Sequence, residues 1–245
     1  MKVKTLVAIS ALLASGAAIA DSYQSQVGAR AWRGDFDGVS SKTNVYGIAG
    51  AYYFDAVKTT NVPLAEAAFL GKNSDVHAQA VHTSQPGPDV NNYDVGAEFF
   101  IPESFLYVDA GVQQSKIKGG RTDNDWYTSV GITPIDGLLV STSYAHDEGY
   151  DPNIKAKYVT ALGAGEFINV EAQYVDGDNY TYKSVGADYY FDNTFSVGGE
   201  LSNIYSDNSY TVRTRKFFTE AFSGDLAYTD APDGNIISAG VSVRF

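Results

Sequence analysis

The sequence predicts an all-β protein: a transmembrane antiparallel β-barrel of about fourteen strands, with twelve as the competing count, short outer loops and both termini in the periplasm. Three observations predict it. The chain opens on an export signal, it alternates between apolar and polar residues in pieces of about ten, and its aromatic pairs recur just before one set of turns.

Lys2 and Lys4 precede an apolar stretch from Leu6 to Ile19 that ends in Ala18-Ile19-Ala20. This has the form of a secretory signal peptide, so residues 1–20 are expected to be cleaved and residues 21–245 to form the mature barrel. The stretch is shorter than the roughly 20 residues of a spanning helix. Nothing after Asp21 approaches such a length either, which excludes a helical inner-membrane protein.

The 18 Tyr, 13 Phe and 24 Gly, against one Met and no Cys, suit strands and tight turns better than packed helices. Without Cys there can be no disulfide or thiolate-metal framework. The net charge of −12 becomes more negative once Lys2 and Lys4 are removed, which argues against nucleic acid as a partner.

Alternation carries the fold. From Asn92 to Ile101, Tyr93, Val95, Ala97, Phe99 and Ile101 share one face while Asp94, Gly96 and Glu98 share the other. Ile154 to Leu162 and Phe167 to Asp176 read the same way, with Lys155 and Lys157, then Asn169, Glu171 and Gln173, on the polar parity. In the closing segment Ile237, Ala239, Val241, Val243 and Phe245 alternate with Ser238, Gly240, Ser242 and Arg244. Strands are expected to start near Tyr23, Asn44, Ser74, Asn92, Phe105, Asp125, Leu138, Asn153, Phe167, Tyr180, Thr194, Asn208, Ala221 and Asn235.

A soluble sandwich would alternate similarly, so the connections must decide. Pro102-Glu103-Ser104, Pro134 to Gly137, Gly163-Ala164-Gly165 and Asp192-Asn193 fall on the periplasmic side. Acidic, glycine-rich connections fall on the other: Gly34 to Lys42, Thr83 to Asn91, Lys118 to Asn124, Asp147 to Pro152 and Gly177-Asp178. Val95 to Ile101 is echoed by Val185 to Phe191, and Ala51 to Phe54 matches its end. All three precede a periplasmic turn, where paired aromatics are expected to form an interfacial girdle.

Fourteen strands about 4.8 Å apart and tilted about 40° enclose a diameter of roughly 28 Å, too wide for side chains to fill. Candidate lumen residues on the polar parity are Arg30, Asp94, Glu98, Asp109, Lys155, Lys157, Glu171, Asp188, Glu200, Arg213 and Arg215. Walls of opposite sign would set up a transverse field, and an acidic mouth would give a weak preference for cations. Asp55 to Lys72 is too long for a turn and holds a helix-like piece after Pro63, so it is expected either to fold into the lumen or to lie beneath it.

The search for chemistry returns no catalytic residues, metal site or cofactor. His82-Thr83-Ser84 has the spacing of the His and Ser of an outer-membrane phospholipase but lacks its surrounding residues. His77 and His82 have opposite parity and should not share a metal. The acidic groups Asp147, Glu148 and Asp151, or Asp176 and Asp178, read as solvated loop charge.

The chain also resembles the general bacterial porin family of gammaproteobacteria over its full length. The resemblance is carried by Ser22-Tyr23-Gln24 after the signal, Tyr52-Tyr53-Phe54-Asp55 with Val57, Pro63 to Leu70, Arg215 to Glu220, and the terminal Val243-Arg244-Phe245. It implies an outer-membrane channel for small polar solutes and ions, surrounded by lipid and lipopolysaccharide, and not an enzyme. It also implies that Val241, Val243 and Phe245 form the signal read by the barrel-assembly machinery. A closed structural or adhesive barrel is the alternative, and monomer and trimer both remain open.

Overall fold

The computed structural model describes residues 21–38, 42–146, 150–177, 180–204 and 207–245. The expected signal peptide and the loop residues Asp147, Glu148 and Asp178 lie outside the described residues. No described helix is long and apolar enough to cross a membrane.

Fourteen strands close on themselves: β1 (Ser22–Phe36), β2 (Thr43–Lys58), β3 (Asp75–Ser84), β4 (Val90–Phe100), β5 (Leu106–Ile117), β6 (Thr122–Ile132), β7 (Leu138–Ala145), β8 (Asn153–Gly163), β9 (Glu166–Gly177), β10 (Tyr180–Asp192), β11 (Phe195–Ile204), β12 (Asp207–Phe217), β13 (Phe222–Ala231) and β14 (Gly234–Arg244). Every strand pairs antiparallel with its sequence neighbours, and β14 returns to β1. The ring count excludes the twelve-strand alternative. Closure leaves no sheet edge, because Gln26 to Phe36 pair with Arg244 to Gly234 and the last residue continues the ladder. There Phe245 donates its N–H to Ser25 O at 3.0 Å and accepts from Ser25 N at 2.8 Å.

Register fixes the two faces. Ile48 pairs with Ala29 and Ala80, Val95 with Ala78 and Val112, and Ala239 with Ala31 and Leu226, so the exposed apolar residues line up on the outer face. A strand of 11 residues such as β14, rising ~3.3 Å per residue and tilted ~40°, spans roughly 28 Å, close to the ~30 Å of a bilayer's hydrocarbon. At the end that carries Asp21 and Phe245, the proximal end, Phe54 stacks on Phe99 at 5.7 Å, Phe191 on Phe195 at 5.4 Å and Phe218 on Phe222 at 5.6 Å.

The aromatic doublets divide between the faces instead of forming one outer girdle. Tyr52, Phe54, Phe99, Tyr189 and Phe191 point out, while Tyr53, Phe100 and Tyr190 turn in and are buried. Period-two geometry requires this, since successive side chains of a strand project to opposite sides. The inward rings make a collar: Tyr53 packs edge-on to Tyr23 at 5.6 Å, and Phe100 to Tyr107 at 5.1 Å.

That collar surrounds the main packed core of the molecule. β2 runs on to Lys58, and the chain then enters a 3-10 turn, Leu64–Glu66, and one α-helical turn, α1 (Ala67–Leu70), before β3 begins. Val57, Pro63, Leu64 and Ala67 of this strap are almost wholly buried, against Tyr23 and Tyr53 among others. Asn73 ties its ends by donating Nδ2 to Asp55 O at 3.3 Å. The turn after β6 supports it from below: Gly137, at φ +76°, passes so close to Val159 O that a Cβ would sit 2.1 Å away, and it accepts Val159 N at 2.8 Å.

Candidate functional site: the inner wall and its strap

The strap's far contacts lie across the barrel. β9 and β10 stand seven places from β2 and β3 in a ring of fourteen, which is the opposite wall. Leu64 donates its N–H to Asn193 O, in the turn after β10, at 2.7 Å. Glu66, 6 % exposed, accepts from Tyr190 Oη at 2.6 Å and pairs with Lys157 Nζ at 2.7 Å. Lys157 also lies 3.4 Å from Glu171 and 4.9 Å from the centre of the Phe69 ring. Lys72 stands 3.9 Å from Asp136. One short segment thus bonds to strands on both sides of the interior.

Register places Arg30, Asp94, Glu98, Asp109, Lys155, Lys157, Glu171, Asp188, Glu200, Arg213 and Arg215 on the face opposite the apolar one, which is the concave inner face. They fall into two regions. Along β8 to β12 the charges interlock: Arg213 holds Asp188 through two nitrogens at 2.7 and 2.8 Å and reaches Glu200 at 3.3 Å. Asn169 links this fork to the strap's anchor by donating to Glu171 at 3.0 Å and to Asp188 at 3.4 Å. Charge pairing and planar fork geometry make such groups tolerable at an interior wall. Arg30 spans β14 to pair with Asp225 at 2.5 Å.

Across the ring, β3 to β5 carry Asp75, Asp94, Glu98 and Asp109, and among the described residues none of these pairs with Lys or Arg. Glu98 accepts from Tyr107 Oη at 2.7 Å, and His77 lies 3.0 Å from Asp75 and 3.9 Å from Asp94. Towards the distal end the same wall borders a cavity of about 530 Å³ lined by Gln79, Asp94, Gln113, Asp123 and Asp125 among others. An acidic wall therefore faces one that holds Lys155, Lys157, Arg213 and Arg215 of the candidate set, while Arg30 stands apart on β1.

The histidines separate as their parity requires. His77 is inward, whereas His82 is on the outer face and pairs its ring with Asn91 Oδ1 at 2.9 Å. Among the described residues no group of three or more His, Asp or Glu is arranged to hold a metal ion. Val241, Val243 and Phe245 point outward on the closing strand.

Sequence reasoning missed Glu66, Tyr190 and Arg244, which organise the proximal interior. Glu66 is the one acid in the apolar piece after Pro63, and that isolation was a usable signal. Arg244 sits on the polar parity of the closing segment, which also marked it.

A closed antiparallel barrel with an apolar outer face and a charged inner one defines the class of outer-membrane β-barrels. Within that class the chain belongs to the family described as "Putative general bacterial porin", whose model matches residues 1–133. No curated protein matches it in sequence. Among solved structures it is similar to the outer membrane protein Omp33 of Acinetobacter baumannii, with a TM-score of 0.76 and 23% identity, covering 92% of this chain and 99% of that one. It is also similar, more distantly, to the KdgM porin solved in complex with a disordered oligogalacturonate, with a TM-score of 0.50 and 10% identity over 90% of this chain and 99% of that one.

Proposed function

We propose that this porin is a non-enzymatic channel through which small hydrophilic solutes and ions diffuse passively across the outer membrane, and that the strap narrows its proximal end. The observation that carries the reading is the partition of faces on one closed sheet. Residues such as Val112, Val212 and Ile237 present apolar surface outward, while carboxylates and guanidiniums crowd the interior, where only water or pairing sustains them. The proximal constriction follows from the strap's hydrogen bonds to opposite walls, and the acids of β3 to β5, with which no described Lys or Arg pairs, support a weak preference for cations.

A second reading, a closed structural or adhesive barrel, has one observation in its favour: the strap is bonded to strands on opposite walls of the interior. Planar-bilayer recording on the refolded mature chain separates the two. Stepwise conductance in KCl, with a reversal potential of cation sign under a salt gradient, is expected. A bilayer that stays silent with correctly folded protein would support the closed barrel, and a reversal potential of anion sign would remove the cation preference. On this reading Val241, Val243 and Phe245 present the assembly signal, and the outer face contacts lipid and lipopolysaccharide.

A further inference from the structure

Two arginines of the inner wall, Arg215 and Arg244, form no ion pair with any described acid. Arg244 is 4 % exposed and its guanidinium lies between the rings of Tyr23, 4.5 Å away, and Phe217, 4.4 Å away. Its Nε donates to Gln26 Oε1 at 2.9 Å, and its Nη1 is buried without an acceptor. Arg215 stands opposite Asp225 in the β12–β13 register, yet Asp225 is engaged by Arg30 at 2.5 Å. Glu66, the strap's acid, is taken by Lys157 and Tyr190. A buried guanidinium that is held by aromatic faces rather than by a carboxylate keeps its charge fixed and its remaining donors unsatisfied.

All three arginines border one cavity of about 280 Å³ between Ala65 of the strap and the wall of β14, β1 and β2. That wall contributes the small residues Gly28, Gly47, Ala49 and Ser242, with Trp32 and Gln79 also lining the space. Arg30 and Asp225 pair with each other, which leaves two arginines without an ion-pair partner beside the strap.

We propose that this cavity is a binding subsite for a small solute bearing a carboxylate, one planar anion being received by Arg215 and the unpartnered Nη1 of Arg244. The proposal rests on the channel reading, because the ligand reaches the strap through the lumen. A guanidinium edge matches the two oxygens of a carboxylate in spacing and plane. Asp225 at the rim works against anions of higher charge. The subsite would make carboxylated solutes pause at the narrowest point of a channel whose distal mouth is acidic.

The test uses full-length mature protein in detergent micelles, titrated with sodium butyrate by calorimetry, alongside butyrate block of KCl current in planar bilayers. Saturable binding is expected. Arg215→Gln should weaken it roughly tenfold or more, whereas Lys183→Gln, which removes an outward lysine and so matches the change in net charge, should leave it unaltered. Arg244→Lys, which keeps the charge but loses the fork, serves as the second variant should Arg215→Gln not fold, and is expected to weaken binding similarly. Absence of saturable butyrate binding to folded protein would overturn the proposal, as would equal affinity for inorganic phosphate or unchanged affinity in the folded variant. A silent bilayer with micellar butyrate binding intact would instead sink the channel reading and leave the subsite standing.

Discussion

Replacing Glu66 by Gln isolates the bond that holds the strap to the far wall. The side chain keeps its shape and still accepts from Tyr190, but Lys157 loses the partner at 2.7 Å and retains only Glu171 at 3.4 Å. Severing a fully buried pair costs about 3–5 kcal/mol. Here the lysine side chain is 23% exposed and keeps its second acid, so the loss is taken as about 2 kcal/mol, the range of a hydrogen bond between charged groups. That corresponds to about a thirtyfold rise in the undocked fraction of the strap. The assay is single-channel recording, where Glu66→Gln should show a larger or more frequently visited high-conductance level than wild type. Lys157→Gln should show the same change, and combining the two should add little to either alone. Identical conductance histograms for wild type and both single variants would refute the claim that this contact narrows the pore.

Other consequences follow from the same geometry. Converting Asp94, Glu98 and Asp109 together to their amides should abolish the cation sign of the reversal potential, since no Lys or Arg among the described residues offsets them. Ala239→Arg puts a charge on the outer face at mid-strand, between Ala31 and Leu226, and should destabilise the barrel in vesicles by about 2–4 kcal/mol, read from urea unfolding, while Gln113→Arg on the inner face, beside Asp94 and Asp125, should cost far less. Arg213→Ala strips Asp188 of its two-nitrogen fork and should lower stability by about 1–3 kcal/mol in the same assay. Deleting Phe245 should slow assembly, because the residue both ends the outward apolar row and supplies the last ladder bonds to Ser25; the rate at which the heat-resistant compact form appears measures this.

Most of the barrel was legible because alternation is a local property. The polar parity of Asp94 and Glu98, or of Lys155 and Lys157, fixes which face they occupy once the strand is recognised, and ladder pairing then carries that face to its neighbours. The strands vary in length for reasons that are not local. β2 runs to 16 residues because Val57 pairs with Tyr23 beyond a register shift between Tyr23 and Ser25, which delivers the chain to the strap. The strap's destination depended on a contact 124 residues away in sequence, Glu66 to Tyr190, and no pattern near Pro63 encodes it. The doublets misled in a different way: Tyr52-Tyr53 and Tyr189-Tyr190 read as one belt, yet alternation itself had to divide them. Asn153 was equally invisible, as its side chain takes the place of a backbone partner by bonding both N–H and C=O of Ser143 at 2.8 Å, where the β7–β8 ladder ends.

The claim beneath all of these is that the same strand touches lipid on one side and water on the other. Spin labels placed singly at positions 125 to 130 of β6, none of which is buried, in protein reconstituted into phospholipid vesicles, report it directly through relaxation by oxygen, which concentrates in hydrocarbon, and by a water-soluble nickel chelate. Oxygen accessibility should peak at 126, 128 and 130, and nickel accessibility at 125, 127 and 129. A profile without that alternation, or with nickel reaching both sets equally, would contradict the account.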